Sequence, residues 1–154
     1  MRGLFEILPA DRRVYEERLR DFLPQRIIDV HTHVWLESFV TPSECAARSV
    51  SWPSLVARHN PVEDLIETYR LLFPDRTVEP VIFGNPVAGM DVRRNNEYVS
   101  SCAKTHGLRS LMLTLPVWDA GSFERGLREG GFCGAKVYLE YAPAYIPKNE
   151  IRIF

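Results

Sequence analysis

The sequence predicts an α/β fold of about four parallel strands with crossover helices, preceded by a leading helical segment. Three observations carry that prediction. Short β-branched runs alternate with longer runs of helical period. Pro, Gly or Asn punctuates most junctions. After the leading helix the order is β, α, β, α, β, α, β. Strands alternating with helices imply parallel strands joined by right-handed crossovers. Periodicity alone does not separate an open doubly wound sheet from part of a barrel. A dinucleotide-binding sheet would want a Gly-rich turn after the first strand, and this chain has His-Thr-His there.

Each element has its own signals. "ADRRVYEERLRDFL" reads as a helix in which Val14, Leu19 and Phe22 share an apolar stripe, and Pro24 ends it. Residues 1–24 form this leading segment, and residues 25–154 the main unit. "RIIDVHTHV" is a β-branched strand. Residues 36–60 have no clear period and carry Pro42, Pro53 and Trp52, a connection long enough to be a functional loop. "NPVEDLIETYRLLFP" is a helix with Asn60 as N-cap, Pro61 at its first position, and Leu65, Tyr69 and Leu72 at helical spacing. "TVEPVIFGNP" is a strand, and "DVRRNNEYVSSCAKTHG" a helix with Gly107 as C-terminal cap. "LRSLMLTLPVWD" is a strand, "SFERGLREGG" a shorter helix, and "CGAKVYLEY" the fourth strand.

Bulk properties exclude several classes. The 154 residues suffice for one domain with a core, and a net charge of −1 offers no general attraction for nucleic acid or an anionic membrane. No apolar run approaches the ~20 residues that span a bilayer, and the N-terminus turns charged too early for a secretory signal. Cys45, Cys102 and Cys133 are odd in number and far apart, as expected of reduced thiols in a cytoplasmic protein.

The chemistry concentrates in "IIDVHTHVW", which holds two of the chain's four histidines. Side chains alternate across a strand, so His31 and His33 should share a face with Ile27 and Asp29, while Ile28, Val30 and Thr32 pack under covering helices. On a helix the two imidazoles would stand about 200° apart. Two neutral imidazoles where the first parallel strand ends are well placed to hold a divalent cation. The plainer alternative is a pair of hydrogen-bonded histidines at a strand end.

"IIDVHTHVW" resembles the first-strand signature of the amidohydrolase superfamily, metal-dependent (β/α)₈ barrels, in its amidohydrolase-2 branch of hydrolases and decarboxylases. "NNEYV" and "GFCGAKVYLEYAP" resemble the same branch. The resemblance covers most of residues 25–154, with the HxH its informative motif. It implies the N-terminal half of a TIM-type barrel, a divalent metal (zinc first, manganese or iron as alternatives) held by His31 and His33, and a small-molecule substrate. It further implies activation of water, or polarisation of the substrate, for C–N or C–O hydrolysis or decarboxylation.

Strand four offers a second constellation. Gly134, Lys136, Tyr138 and Glu140 alternate with Ala135, Val137 and Leu139, which puts Lys136 and Tyr138 on the inner face of a barrel. An unpaired ammonium there is costly. The resemblance offers Lys136 as a carboxylated metal bridge, or Lys136 and Tyr138 as substrate contacts; pairing of Lys136 with Asp29 or Glu140 is the structural alternative. Trp35 and Trp52 flank the long loop, either as pocket walls or as anchors. His59 reads as a surface residue, His106 as a helix C-terminal residue favoured by the dipole, and Arg93-Arg94 as a solvated face.

A complete barrel needs eight strands and about 250 residues, and four are legible here. The family's later histidines and its catalytic aspartate have no match up to Phe154. The general base is therefore expected beyond residue 154, and the chain is expected to be a fragment, inactive alone, that self-associates or pairs with a missing C-terminal half. Two alternatives stand beside this: a half-barrel acting only by association, and a phosphoesterase of another HxH metal-barrel class.

Overall fold

A computed structural model of the chain describes residues 6–41, 57–85, 89–115 and 118–138. Its elements follow the expected order. Helix α1 (Pro9–Val14) continues as a π-helical turn (Tyr15–Leu19), and strand β1 spans Arg26–His33. A short 3₁₀ turn (Glu37–Phe39) precedes helix α2 (Val62–Leu72). Strand β2 (Thr77–Phe83), helix α3 (Val92–His106), strand β3 (Arg109–Thr114), helix α4 (Ala120–Gly130) and strand β4 (Gly134–Val137) complete the described part.

The strands are parallel and lie in the order β1-β2-β3-β4, a curled half-barrel sheet. Each strand pairs with the next along the chain, so no strand order reverses as it does in a doubly wound sheet. The helices α3 and α4 are capped locally, and Gly107 is the expected stop. Asp91 and Asp119 cap α3 and α4 by accepting from the Arg94 and Ser122 amides, and Gly107 ends α3 at φ 66°, where a Cβ would be strained. Helix α2 starts one residue later than expected. Pro61 is its N-cap, and the Asn60 side chain bonds to the His33 carbonyl at 2.8 Å.

The core lies between the helices and the outer face of the sheet. Val34, Val62, Leu65, Ile82, Val99, Cys102 and Ala103 form it, with Tyr69, Tyr98, Leu108 and Phe132 packed against them. Cys102 and Cys133 are free thiols, as expected, and Cys45 lies outside the described residues. No helix among the described residues is long and apolar enough to cross a membrane.

Two sequence expectations fail. In the leading segment Val14 and Phe22 are exposed, and Tyr15 is the buried residue. Tyr15 packs edge-on against Phe73 and donates a hydrogen bond to Asp75, long-range partners that a local apolar stripe does not reveal. On β1, Ile28 and Val30 are not covered by helices; they stand 49% and 69% exposed. The cause is a β-bulge between Asp29 and Thr32, where three steps along β1 match two along β2. One extra residue reverses the phase of alternation. Asp29 thereby turns to the helix side with Thr32, and Ile28 and Val30 fall on the opposite, inner face.

Candidate metal centre

The end of β1 presents His31 and His33 on the inner face. Their ring centroids lie 5.3 Å apart, and both rings rest against Phe83 of β2, at 5.4 and 4.5 Å. His33 is the register partner of Phe83, so the imidazole and the phenyl ring are neighbours on one face of the ladder. Lys136 of β4 reaches the same place. Its Nζ lies 5.2 Å from the Phe83 ring centroid and 5.3 Å from that of Tyr138. Phe83 is therefore a shared floor beneath two imidazoles and an ammonium, an arrangement in which the aromatic face attracts the cation.

His33 is the better defined of the two histidines. It is half-buried, and its Nδ1 lies 2.9 Å from the Gly84 carbonyl oxygen. A carbonyl only accepts, so Nδ1 carries the proton and Nε2 keeps its lone pair. Burial pushes the His33 pKa down; the bond to Gly84 opposes this, and the charges of His31 and Lys136 add to the lowering. The ring is thus held neutral and oriented, the state a metal requires of an imidazole. His31 is exposed, and its backbone amide donates to Asp29 Oδ1 at 3.0 Å.

Asp29 does not join the histidines. Its Oδ2 accepts the Tyr69 hydroxyl of α2 at 2.7 Å, and Tyr69 also meets Thr32 Oγ1 at 3.2 Å. Burial acts to raise the Asp29 pKa, but the hydrogen bonds from the His31 amide and the Tyr69 hydroxyl, with the Thr32 hydroxyl close by, outweigh it and hold the carboxyl below its usual range. Lys136 accordingly pairs with aromatic rings and not with Asp29. Glu140, its other expected partner, lies outside the described residues, as do Leu139, Trp52, Pro42 and Pro53.

The remaining candidates sort as follows. Trp35 is buried, its Nε1–H donates to the Arg58 carbonyl at 3.0 Å, and its backbone bridges Asn60; these contacts anchor the loop. His59 is exposed and accepts from the Glu37 amide at 3.4 Å. His106 sits 3.8 Å from Glu63. Arg93 and Arg94 are exposed, as expected, yet each stacks on a ring, Trp118 and Phe39 respectively.

Sequence reasoning missed the residues that hold the mouth of the sheet together. The β2–β3 ladder stops at Ser110. Beyond it, Asn96 donates to the Leu113 carbonyl at 2.8 Å and accepts from the Leu113 amide at 3.0 Å, in place of a strand residue. Asn95, fully buried, donates to the Val34 carbonyl and accepts from the Asn85 amide, both at 3.1 Å. Gly84 makes room: a Cβ there would stand 2.6 Å from Asn95 Oδ1. One signal was available. Asn95 lies in phase with Val99, Cys102 and Ala103, a polar residue on the core stripe of α3, and buried amides are there to be bonded.

The two histidines fit a divalent cation as far as they go. They are adjacent, share a face, and His33 has the backbone-carbonyl partner typical of a ligating imidazole. Among the described residues, no group of three or more His, Cys, Asp or Glu side chains gathers to complete a ligand set. A groove of about 530 Å³ between α3 and α4, lined in part by Arg93, Ser100, Met112 and Trp118, shares no lining residue with the histidines. Comparison with protein-family models, with curated proteins and with solved structures finds no match.

Proposed function

We propose that residues 25–138 supply the first four strands of a metal-dependent (β/α)₈ barrel of the amidohydrolase type, with His31 and His33 as two of its metal ligands. The observation that carries this reading is the His33 geometry. Its Nδ1–H is committed to Gly84 O, which leaves Nε2 free to coordinate, and His31 stands beside it. The sequential parallel strand order supports the barrel. A catalytic zinc usually takes three protein ligands, so at least one donor comes from outside the described residues.

Within this reading the roles divide as follows. A divalent cation, when bound, supplies Lewis-acid activation of water or of a substrate carbonyl or carboxylate. His31 and His33 hold it as neutral imidazoles. Lys136, an ammonium on the shared Phe83 floor, meets a negatively charged or carbonyl oxygen of the substrate. Asp29 is bonded away from the mouth, so the proton shuttle is another residue. Hydrolysis of a C–N or C–O bond and decarboxylation both fit these roles.

The test is cobalt(II) or zinc titration of the 154-residue chain and of the His31→Ala/His33→Ala double variant. The parent should bind the metal and the double variant should lose it. Equal stoichiometry in the two would sink the assignment.

A second reading, association of the half-barrel through its inner face, rests on the exposure of Ile28 and Val30. Size-exclusion chromatography of the chain separates the two. A monomer at all concentrations removes self-association from consideration.

A further inference from the structure

Tyr69 lies on the opposite side of the sheet from the histidines, yet it touches both ends of the bulge that aims them. Its hydroxyl donates to Asp29 Oδ2 at 2.7 Å and meets Thr32 Oγ1 at 3.2 Å. One phenol has one proton to give. It goes to the charged carboxylate, so Thr32 donates in turn to the phenol oxygen. The second carboxylate oxygen of Asp29 accepts the His31 amide, at 3.0 Å. The extra residue of the bulge lies between Asp29 and Thr32. The chain Thr32–Tyr69–Asp29–His31 therefore closes a ring around it.

In a strand of unbroken period, Asp29, His31 and His33 would share one face. With the bulge, Asp29 faces α2 and the histidines face inward. Without it, either the carboxylate enters the mouth or the imidazoles turn towards the helix layer. We infer that Tyr69 is a positioning residue, which clamps the β1 bulge through Asp29 and Thr32 and so sets the aim of His31 and His33. The inference rests on the metal-site reading for its functional meaning, whereas the clamp itself is a statement about ring orientation. The phenol is held by α2, whose Leu65 belongs to the core, so the clamp ties the site to the rigid part of the molecule. Bulges beside reactive sites are a recurrent means of re-aiming side chains, and the residues that orient ligands change metal affinity when they are lost.

The experiment uses Tyr69→Phe, which keeps the ring and removes the hydroxyl, in the 154-residue chain. Cobalt(II) affinity, read by absorption well below the melting temperature, should fall roughly tenfold or more. Proton NMR should show the His31–Phe83 ring contacts weakened and faster exchange of the His31 amide. Unchanged cobalt affinity in a variant that is merely less stable overturns the proposal. If the parent chain binds no cobalt, the metal reading fails, and the NMR contacts decide the clamp alone: contacts that persist in Tyr69→Phe overturn it. Should Tyr69→Phe not fold, Thr32→Val removes only the far hydroxyl and is read in the same way, with a smaller shift expected in the same direction.

Discussion

Where the strands begin, the sheet is tied by charge; where they finish, it is tied by neutral amides. At the first end Arg26 forks onto Glu79 at 2.6 Å, and Tyr15, Arg20 and Arg76 converge on Asp75. At the second, Asn60, Asn95 and Asn96 bond to the backbone at His33, Val34, Asn85 and Leu113. The difference follows from what each end must tolerate. Exposed ion pairs such as Arg26–Glu79 contribute little and are screened by salt, and only Arg76 among the cations of this end has its side chain buried. Amides satisfy buried backbone groups without adding a formal charge beside His31, His33 and Lys136. The mouth is thereby held rigid while its local charge is left to the histidines, the lysine and whatever binds there.

Breaking the amide end should cost most. Asn95→Ala leaves the Val34 carbonyl and the Asn85 amide without their side-chain partner, and Asn96→Ala does the same to both groups of Leu113. Each should lose about 2–4 kcal/mol of stability, the range expected when two buried polar groups are orphaned. Urea melts check this, and a loss below about 1 kcal/mol would mean that water replaces the amide and the mouth is looser than described.

Next in size is Gly84→Ala. Its Cβ would press on Asn95 Oδ1, and overpacking of this kind costs about 1–3 kcal/mol. Because the same residue carries the carbonyl that holds His33, the variant should also disturb the His33 ring signals in NMR. A destabilised variant with unchanged His33 resonances would separate the two roles.

A smaller effect, visible only on acidification, is expected at the charged end. The Tyr15 hydrogen bond, and after it Arg20 and Arg76, hold the Asp75 carboxyl below its usual range against some desolvation. The folded state therefore releases this proton more readily than the unfolded one. The contribution is present above the ordinary carboxylate pKa and disappears as pH falls through the lowered value. The melting-temperature gap between the parent and Asp75→Asn should narrow over that window, and a gap that widens would reverse the assignment. Least of all should follow from Arg26→Ala, whose ion pair is exposed. Its melt should be close to that of the parent, and a large drop would undo the contrast between the two ends.

The order of elements was legible because Pro74 stops α2 and Gly107 stops α3; Asp119, read from the sequence as the end of the third strand, is instead the N-cap of α4. The shared face of His31 and His33 was legible too, since the period of two holds across those three residues. What lay before them was not. The bulge depends on Tyr69, 40 residues from Asp29, and no local pattern encodes a partner so distant. The misplacement of Ile28 and Val30 follows from that single unseen residue. Tyr15 was overlooked in the same way, because Asp75 lies 60 residues along. The buried asparagines differ: Asn95 stood on a core stripe, where a polar side chain asks for a partner.

The strand order also has a kinetic consequence. Strand β1 ends at His33 and its partner β2 begins at Thr77, whereas β3 ends at Thr114 and β4 begins at Gly134. Closing a loop costs about 0.6 kcal/mol more for each doubling of its length, so the first pairing closes more slowly than the last. The strand that carries both histidines should join a sheet already nucleated by β3 and β4. In pulse-labelled hydrogen exchange during refolding, the β1 amides should gain protection after those of β3.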